Sequence, residues 1–155
     1  MTTNHIFVSL SLFTFLTALP LGAATAGEKE IAKKDLPAPV LAAFEKAYPH
    51  ATIKETAKEV KDGKTLYEIE SLDGTTSRDV TYLADGKTVE IEETVAAAEL
   101  PDAVRATVSK EYPKGKISKA EKVTHGEALE YEIHVVVPKV KHELVVDPTG
   151  KVLKH

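Results

Sequence analysis

Six carboxylates of this chain come in three pairs separated by a single residue: Glu68 and Glu70, Glu90 and Glu92, Glu130 and Glu132. In an extended chain, residues two apart project from the same side, so each pair presents two acids about 7 Å apart on one face of a strand. Lys141, Glu143 and Lys154 lie in neighbouring segments. A surface of this kind suits a basic partner or cations, and it equally suits an ordinary solvated sheet face kept soluble by charge. Calcium calls for several oxygens converging from one loop, whereas carboxylates facing each other across strands repel. No EF-hand loop is present.

His134 and His142 lie on strands that a hairpin could bring together, with Glu132 and Glu143 as the remaining tempting ligands. No His-x-x-x-His or comparable spacing accompanies them, so a surface or structural role is expected and no metal or cofactor is assigned. Catalysis has no residue set to carry it. The chain has no Cys, no Ser or Thr with a recognisable His–acid companion, and no Gly-rich phosphate loop. Tyr48, Tyr67, Tyr82, Tyr112 and Tyr131 read as core packing rather than as a recognition set, because four of them occupy equivalent points of a repeat.

That repeat organises the chain. Leu36-Pro37 returns as Leu100-Pro101, Tyr48-Pro49 as Tyr112-Pro113, Ile53 as Ile117, Tyr67-Glu68-Ile69 as Tyr131-Glu132-Ile133, and Gly86-Lys87 as Gly150-Lys151, always 64 residues on. Laying 36–91 on 100–155 gives 14 identities in 56 positions, against roughly three or four by chance at average residue usage. One supersecondary unit is used twice.

Each copy opens with a helix. Val40, Ala43, Phe44, Ala47 and Tyr48 make an apolar stripe of helical spacing, matched by Val104, Thr107, Val108, Glu111 and Tyr112. Pro37 and Pro101 suit the first turn, and Pro49 and Pro113 end the helix. Strands follow: Ile53 to Val60, a hairpin at Asp62-Gly63, Thr65–Ser71, Ser77–Leu83, and after Asp85-Gly86 a fourth, Lys87–Glu93. The second copy reads Ile117 to Thr124, Ala128–Val137 and Lys139–Val146, with its fourth strand cut short at His155. Alternation turns Tyr67, Ile69, Ser71, Val80, Tyr82, Val89 and Ile91 inward, with Tyr131, Ile133, Val135, Val137, Leu144 and Val146 in the second copy.

Strands of this kind bury one face, which a helix must cover. The expected fold is α+β: two tandem helix-plus-four-strand units. One continuous eight-stranded antiparallel sheet with both helices on one face is preferred over two separate lobes, since it hides two open edges. The linker 94–99 holds no Gly or Pro and keeps the units close. The expected divisions are 1–26, 27–95 and 96–155.

Residues 1–26 hold no Lys, Arg, Asp or Glu, run apolar from Ile6 to Leu21, and end in Ala24-Thr25-Ala26. This is the layout of a signal peptide cleaved after Ala26, and the apolar run of about 16 residues is shorter than the roughly 20 a spanning helix needs. Removing 26 of the 155 residues leaves 129, enough for an ordinary core. An exported protein, periplasmic or extracellular, with no membrane association after cleavage is expected. Net charge is −4 and the charges are interspersed, which excludes a nucleic-acid footprint and a polybasic membrane patch.

The pattern Leu-Pro-x-x-Val, then Tyr-Pro, then Tyr-Glu-Ile before a Gly-Lys turn resembles the PepSY-like, or beta-lactamase-inhibitor-like, domains of exported bacterial proteins. It stands here at Leu36-Pro37-Ala38-Pro39-Val40, Tyr48-Pro49, Tyr67-Glu68-Ile69 and Gly86-Lys87. It stands again at Leu100-Pro101-Asp102-Ala103-Val104, Tyr112-Pro113, Tyr131-Glu132-Ile133 and Gly150-Lys151. The resemblance implies a sheet surface that grips a protein, and a binding or inhibitory role rather than catalysis. The expected function is therefore a non-catalytic binding module inhibiting or sequestering an envelope enzyme such as a peptidase. A small-ligand or cation-binding envelope protein is the alternative.

Overall fold

A computed structural model describes residues 28–154; the signal-peptide segment and its cleavage point lie outside the described residues. Nine strands form one antiparallel sheet in which each strand pairs with its sequence neighbours. They are β1 (Lys29–Glu30), β2 (Thr52–Lys61), β3 (Lys64–Asp73), β4 (Thr76–Leu83), β5 (Thr88–Thr94), β6 (Lys116–His125), β7 (Ala128–Val137), β8 (Val140–Val146) and β9 (Val152–Lys154). The helices are α1 (Ala38–Ala47), before β2, and α2 (Asp102–Glu111), before β6.

The sheet has one strand more than expected. β1 is two residues long, too short to show alternation, and it pairs along Ala57 and Lys58. The Thr56 hydroxyl extends that contact by donating to the Ile31 carbonyl at 2.6 Å.

Pairing across the sheet fixes its two faces. Tyr67 pairs Tyr82, and Ile69 pairs Val80, which pairs Ile91 in turn. Ile91 pairs Thr124, Tyr131 pairs Val146, and Ile133 pairs Leu144. Two apolar clusters form on this face. Val40 and Phe44 of α1 pack with Ile69, Val80 and Tyr82, while Val104 and Val108 of α2 pack with Ile133, Val135, Leu144 and Val146. Tyr67 and Tyr131 flank the clusters half-buried, whereas Tyr82 is 1% exposed. Pro37 and Pro101 stand at the N-cap, one position earlier than the first turn. Both helices close on a tyrosine: the Tyr48 N–H donates to Phe44 O at 2.8 Å and the Tyr112 N–H to Val108 O at 2.9 Å.

The strands carry bulges at repeating places. An extra residue, Lys54, enters β2 opposite β3, and Ser118 does the same in β6. Val89 is the extra residue where β5 meets β4, as Leu153 is where β9 meets β8. This bulge corrects the expected inward Val89. Two β5 residues now oppose one β4 position, so Val89 leaves the core and is 36% exposed.

The repeated Gly-Lys turn has a steric cause. Gly86 and Gly150 have φ of +84° and +83°, and a Cβ on either would sit 2.6 Å from a carbonyl oxygen in the first turn of a helix, Pro39 or Ala103. The linker is also part of the fold. The Val95 N–H donates to Ala120 O at 2.9 Å, and its side chain packs on the second cluster.

Candidate functional site

The opposite face of the sheet is polar, and the register assembles its acids into rows. Glu55 pairs Glu70, Glu70 pairs Asp79, and Asp79 pairs Glu92, so four carboxylates stand side by side across β2–β5. One step along the strands, Glu68 and Glu90 flank Thr81. Glu130 lies across Val123 from Glu92, and Glu121 pairs Glu132. All six carboxylates singled out from the sequence (Glu68, Glu70, Glu90, Glu92, Glu130 and Glu132) thus occupy this face.

Packing side chain against side chain dehydrates the row. Glu92 and Glu121 are each 5% exposed and Glu132 is 8%. Burial first, and then the nearby charge of Asp79, pushes the Glu68 carboxyl up to about 8. Burial followed by Glu70 and Glu121 pushes Asp79 to about 7, and burial with Glu30 and Glu70 raises Glu55. The buried Oδ1 of Asp79 accepts no hydrogen bond among the described residues.

The second copy answers its acids with cations. The positions 64 residues after Glu55 and Glu70 hold Lys119 and His134, and the one after Glu90 holds Lys154. Lys119 Nζ lies 2.8 Å from Glu121, His134 Nε2 3.2 Å from Glu132, and Lys154 Nζ 2.9 Å from Glu143. Burial opposes the charge of Lys119, yet the Glu121 contacts leave its pKa raised. The Glu132 hydrogen bond likewise raises His134. His125 Nδ1 sits 2.9 Å from Glu90, and that bond raises the imidazole. By contrast, Glu55, Glu68, Glu70 and Asp79 enter no salt bridge among the described residues. The face is therefore electrostatically lopsided: acids outside any salt bridge over β2–β4, with Lys119 acting on Asp79 only from a distance, and paired charge over β6–β9.

Two groups of side chains have the spacing of cation ligands. One oxygen each from Asp79, Glu92 and Glu121 lie within 4.8 Å of one another, as do one ligand atom each from Glu121, Glu132 and His134. The His134–His142 pairing entertained from the sequence does not form. His134 pairs Glu143 while His142 pairs Val135, so the two imidazoles leave the sheet on opposite faces. His142 turns to the Tyr112 ring, 5.0 Å between centroids.

Sequence reasoning passed over Glu55, Asp79, Glu121, Lys119 and His125. Asp79 was readable, since it precedes the inward Val80. Glu55 and Lys119 were not, because each follows a bulge that changes the alternation.

Among the described residues no helix is long and apolar enough to cross a membrane.

Comparison with solved structures finds the same fold. The "putative periplasmic" protein of Bacteroides eggerthii is 23% identical with a TM-score of 0.66, covering 76% of this chain and 86% of that one. A DUF2874 family protein of Bacteroides uniformis is 23% identical with a TM-score of 0.63 over the same shares, 76% and 86%. A BLIP-like protein of Bacteroides fragilis is 21% identical with a TM-score of 0.59, covering 75% and 82%. No curated protein matches the chain. By sequence, the family described as "putative beta-lactamase-inhibitor-like, PepSY-like" matches residues 24–76 and again 65–154. The chain belongs to this PepSY-like, beta-lactamase-inhibitor-like family.

Proposed function

We propose that the protein is an exported, non-catalytic binding module that holds a basic protein surface against the polar face of its sheet. In this reading two helix-plus-four-strand units stand in tandem, both helices cover the apolar face, and the other face is left to a partner. The bulges and the Gly-Lys turns that recur 64 residues apart support the tandem layout. The observation that carries the function is the row Glu55–Glu70–Asp79 with Glu68 beside it, none of which enters a salt bridge among the described residues. Glu68 and Asp79 hold protons in the free fold because burial and neighbouring acids oppose their charge, and a cationic partner that supplies the missing charge lets them ionise and bind it. Residues 1–26 and the periplasmic description of the B. eggerthii neighbour support export. Likeness to an inhibitor-like family supports an extracytoplasmic enzyme as the class of partner, and a peptidase is the example we propose.

The test is capture from envelope extract on the immobilised protein, beside a Glu68→Gln/Glu70→Gln variant. These two acids are chosen over Glu132, whose pairing with His134 makes it a structural group. A partner retained by the native protein and lost from an equally stable variant supports the reading. Equal retention by both removes this face from the function.

A second reading, cation binding, is favoured by the convergence of Glu121, Glu132 and His134. A ligand at a hundred times its dissociation constant stabilises a fold by about 2.7 kcal/mol. A melting temperature unmoved by millimolar calcium or zinc disposes of it.

A further inference from the structure

At the β2–β3 end of the polar face the charges give way to an open groove of about 320 Å³, with Leu66, Leu83 and Val89 among its lining residues. The bulge in β5 supplies Val89, exposed here rather than inward. Lys61 and Lys64, from the two sides of the β2–β3 hairpin, line the outer end with Asp62 of the turn between them, leaving that end net positive, and Glu90 and His125 line the groove towards the acidic rows. Along β3 the residues on this face are therefore, in order from the hairpin, a cation (Lys64), an apolar side chain (Leu66) and a dehydrated acid (Glu68), followed by Glu70. The step from Leu66 to Glu68 is about 7 Å, the two-residue pace of an extended peptide, and the long lysine side chains reach back from the rim to a carboxylate on the residue that fills the apolar space.

From this order we infer that the groove receives the C-terminus of a basic protein tail, its last side chain apolar and a lysine or arginine two residues before it. The inference rests on the acidic-face reading and names the element of the partner that the face recognises. The terminal carboxylate meets Lys61 and Lys64, the apolar side chain fills the space between Leu66, Leu83 and Val89, and the basic side chain reaches Glu68. Each part of the tail finds the complement that its own desolvation requires. A wholly apolar ligand would leave the lysine rim and Glu68 unanswered. A polycation would leave the lysines facing like charge.

The experiment is fluorescence anisotropy of the protein with a labelled peptide ending Lys-Gly-Lys-Gly-Leu, with poly-lysine in parallel. The free-acid peptide is expected to bind at least fivefold tighter than its C-terminal amide, than the same peptide ending in Ser, and than one with both lysines replaced by Glu. Val89→Asn, at an exposed position and neutral, should weaken the peptide at least fivefold and leave poly-lysine unchanged. Lys64→Gln, also exposed, should erase the preference for acid over amide. If poly-lysine binds while acid and amide peptides bind alike, the groove proposal falls and the acidic face stands. If neither binds, both fall. If dodecanoate displaces the peptide and binds more tightly than it, the groove is a site for anionic amphiphiles and the tail proposal is overturned.

Discussion

The guanidinium of Arg78 lies over the ring of Tyr48, 4.1 Å from its centroid, while its Nε donates to Glu93 at 2.7 Å. Arg78 sits on the apolar face, 9% exposed, where β4 passes the end of α1. The pair closes the first cluster with a charge that is both stacked and neutralised. In the second copy the positions 64 residues on hold His142 and Tyr112, stacked at 5.0 Å. The contact recurs although the chemistry differs.

Truncating Arg78 to Ala should therefore cost about 2–3 kcal/mol. It removes the cation–π contact and a packed stem, and leaves Glu93 short of its closest partner. The figure stays below that for a fully buried pair because Glu93 is a quarter exposed and Lys122 lies 3.8 Å away. His142→Ala should cost under about 1 kcal/mol, as an aromatic contact without a charge pair. Urea denaturation measures both, and equal losses would show that the ion pair contributes nothing.

Gly86→Ala and Gly150→Ala should each destabilise by about 2–3 kcal/mol, combining a positive φ with a clash against helix backbone. Gly126 also has a positive φ, but a Cβ there meets nothing within 4 Å, so Gly126→Ala should cost only about 1 kcal/mol. Thermal unfolding of the three variants separates strain from collision. Similar losses at all three would mean that the helix contact yields freely.

Stability should fall as pH rises from about 5 to 8. Glu68 and Asp79 keep their protons up to about 8 and about 7 in the fold, whereas unfolded they lose them near 4.5 and 3.8. Between those limits the folded state binds more protons than the unfolded one, so each such group lowers unfolding free energy by up to about 1.4 kcal/mol per pH unit. His125 and His134, raised by their carboxylate partners, act in the same direction, since their bound protons also favour the fold until they are lost. Glu68→Gln should flatten the profile and raise the melting temperature above pH 8. A profile rising from pH 5 to 8 would show that the acidic row is fully hydrated.

The two helices, the inward Tyr82 and the pairs of outward glutamates were all legible in the sequence. Helical and strand periodicity record which side chains must leave water, and this information is local. The recurrence of Gly86 and Gly150 was visible too, but its reason was not: the carbonyls they press against belong to Pro39 and Ala103, some 47 residues earlier in each copy. The tertiary structure alone decided which acids meet. Asp79 stands between Glu70 and Glu92 because of pairing across three strands. Lys119 reaches Glu121 from beyond a bulge, and His134 and His142 part because adjacent residues of β7 face opposite ways. Charge acts through space between strands, so whether a carboxylate is answered or left alone depends on register, which no single strand encodes.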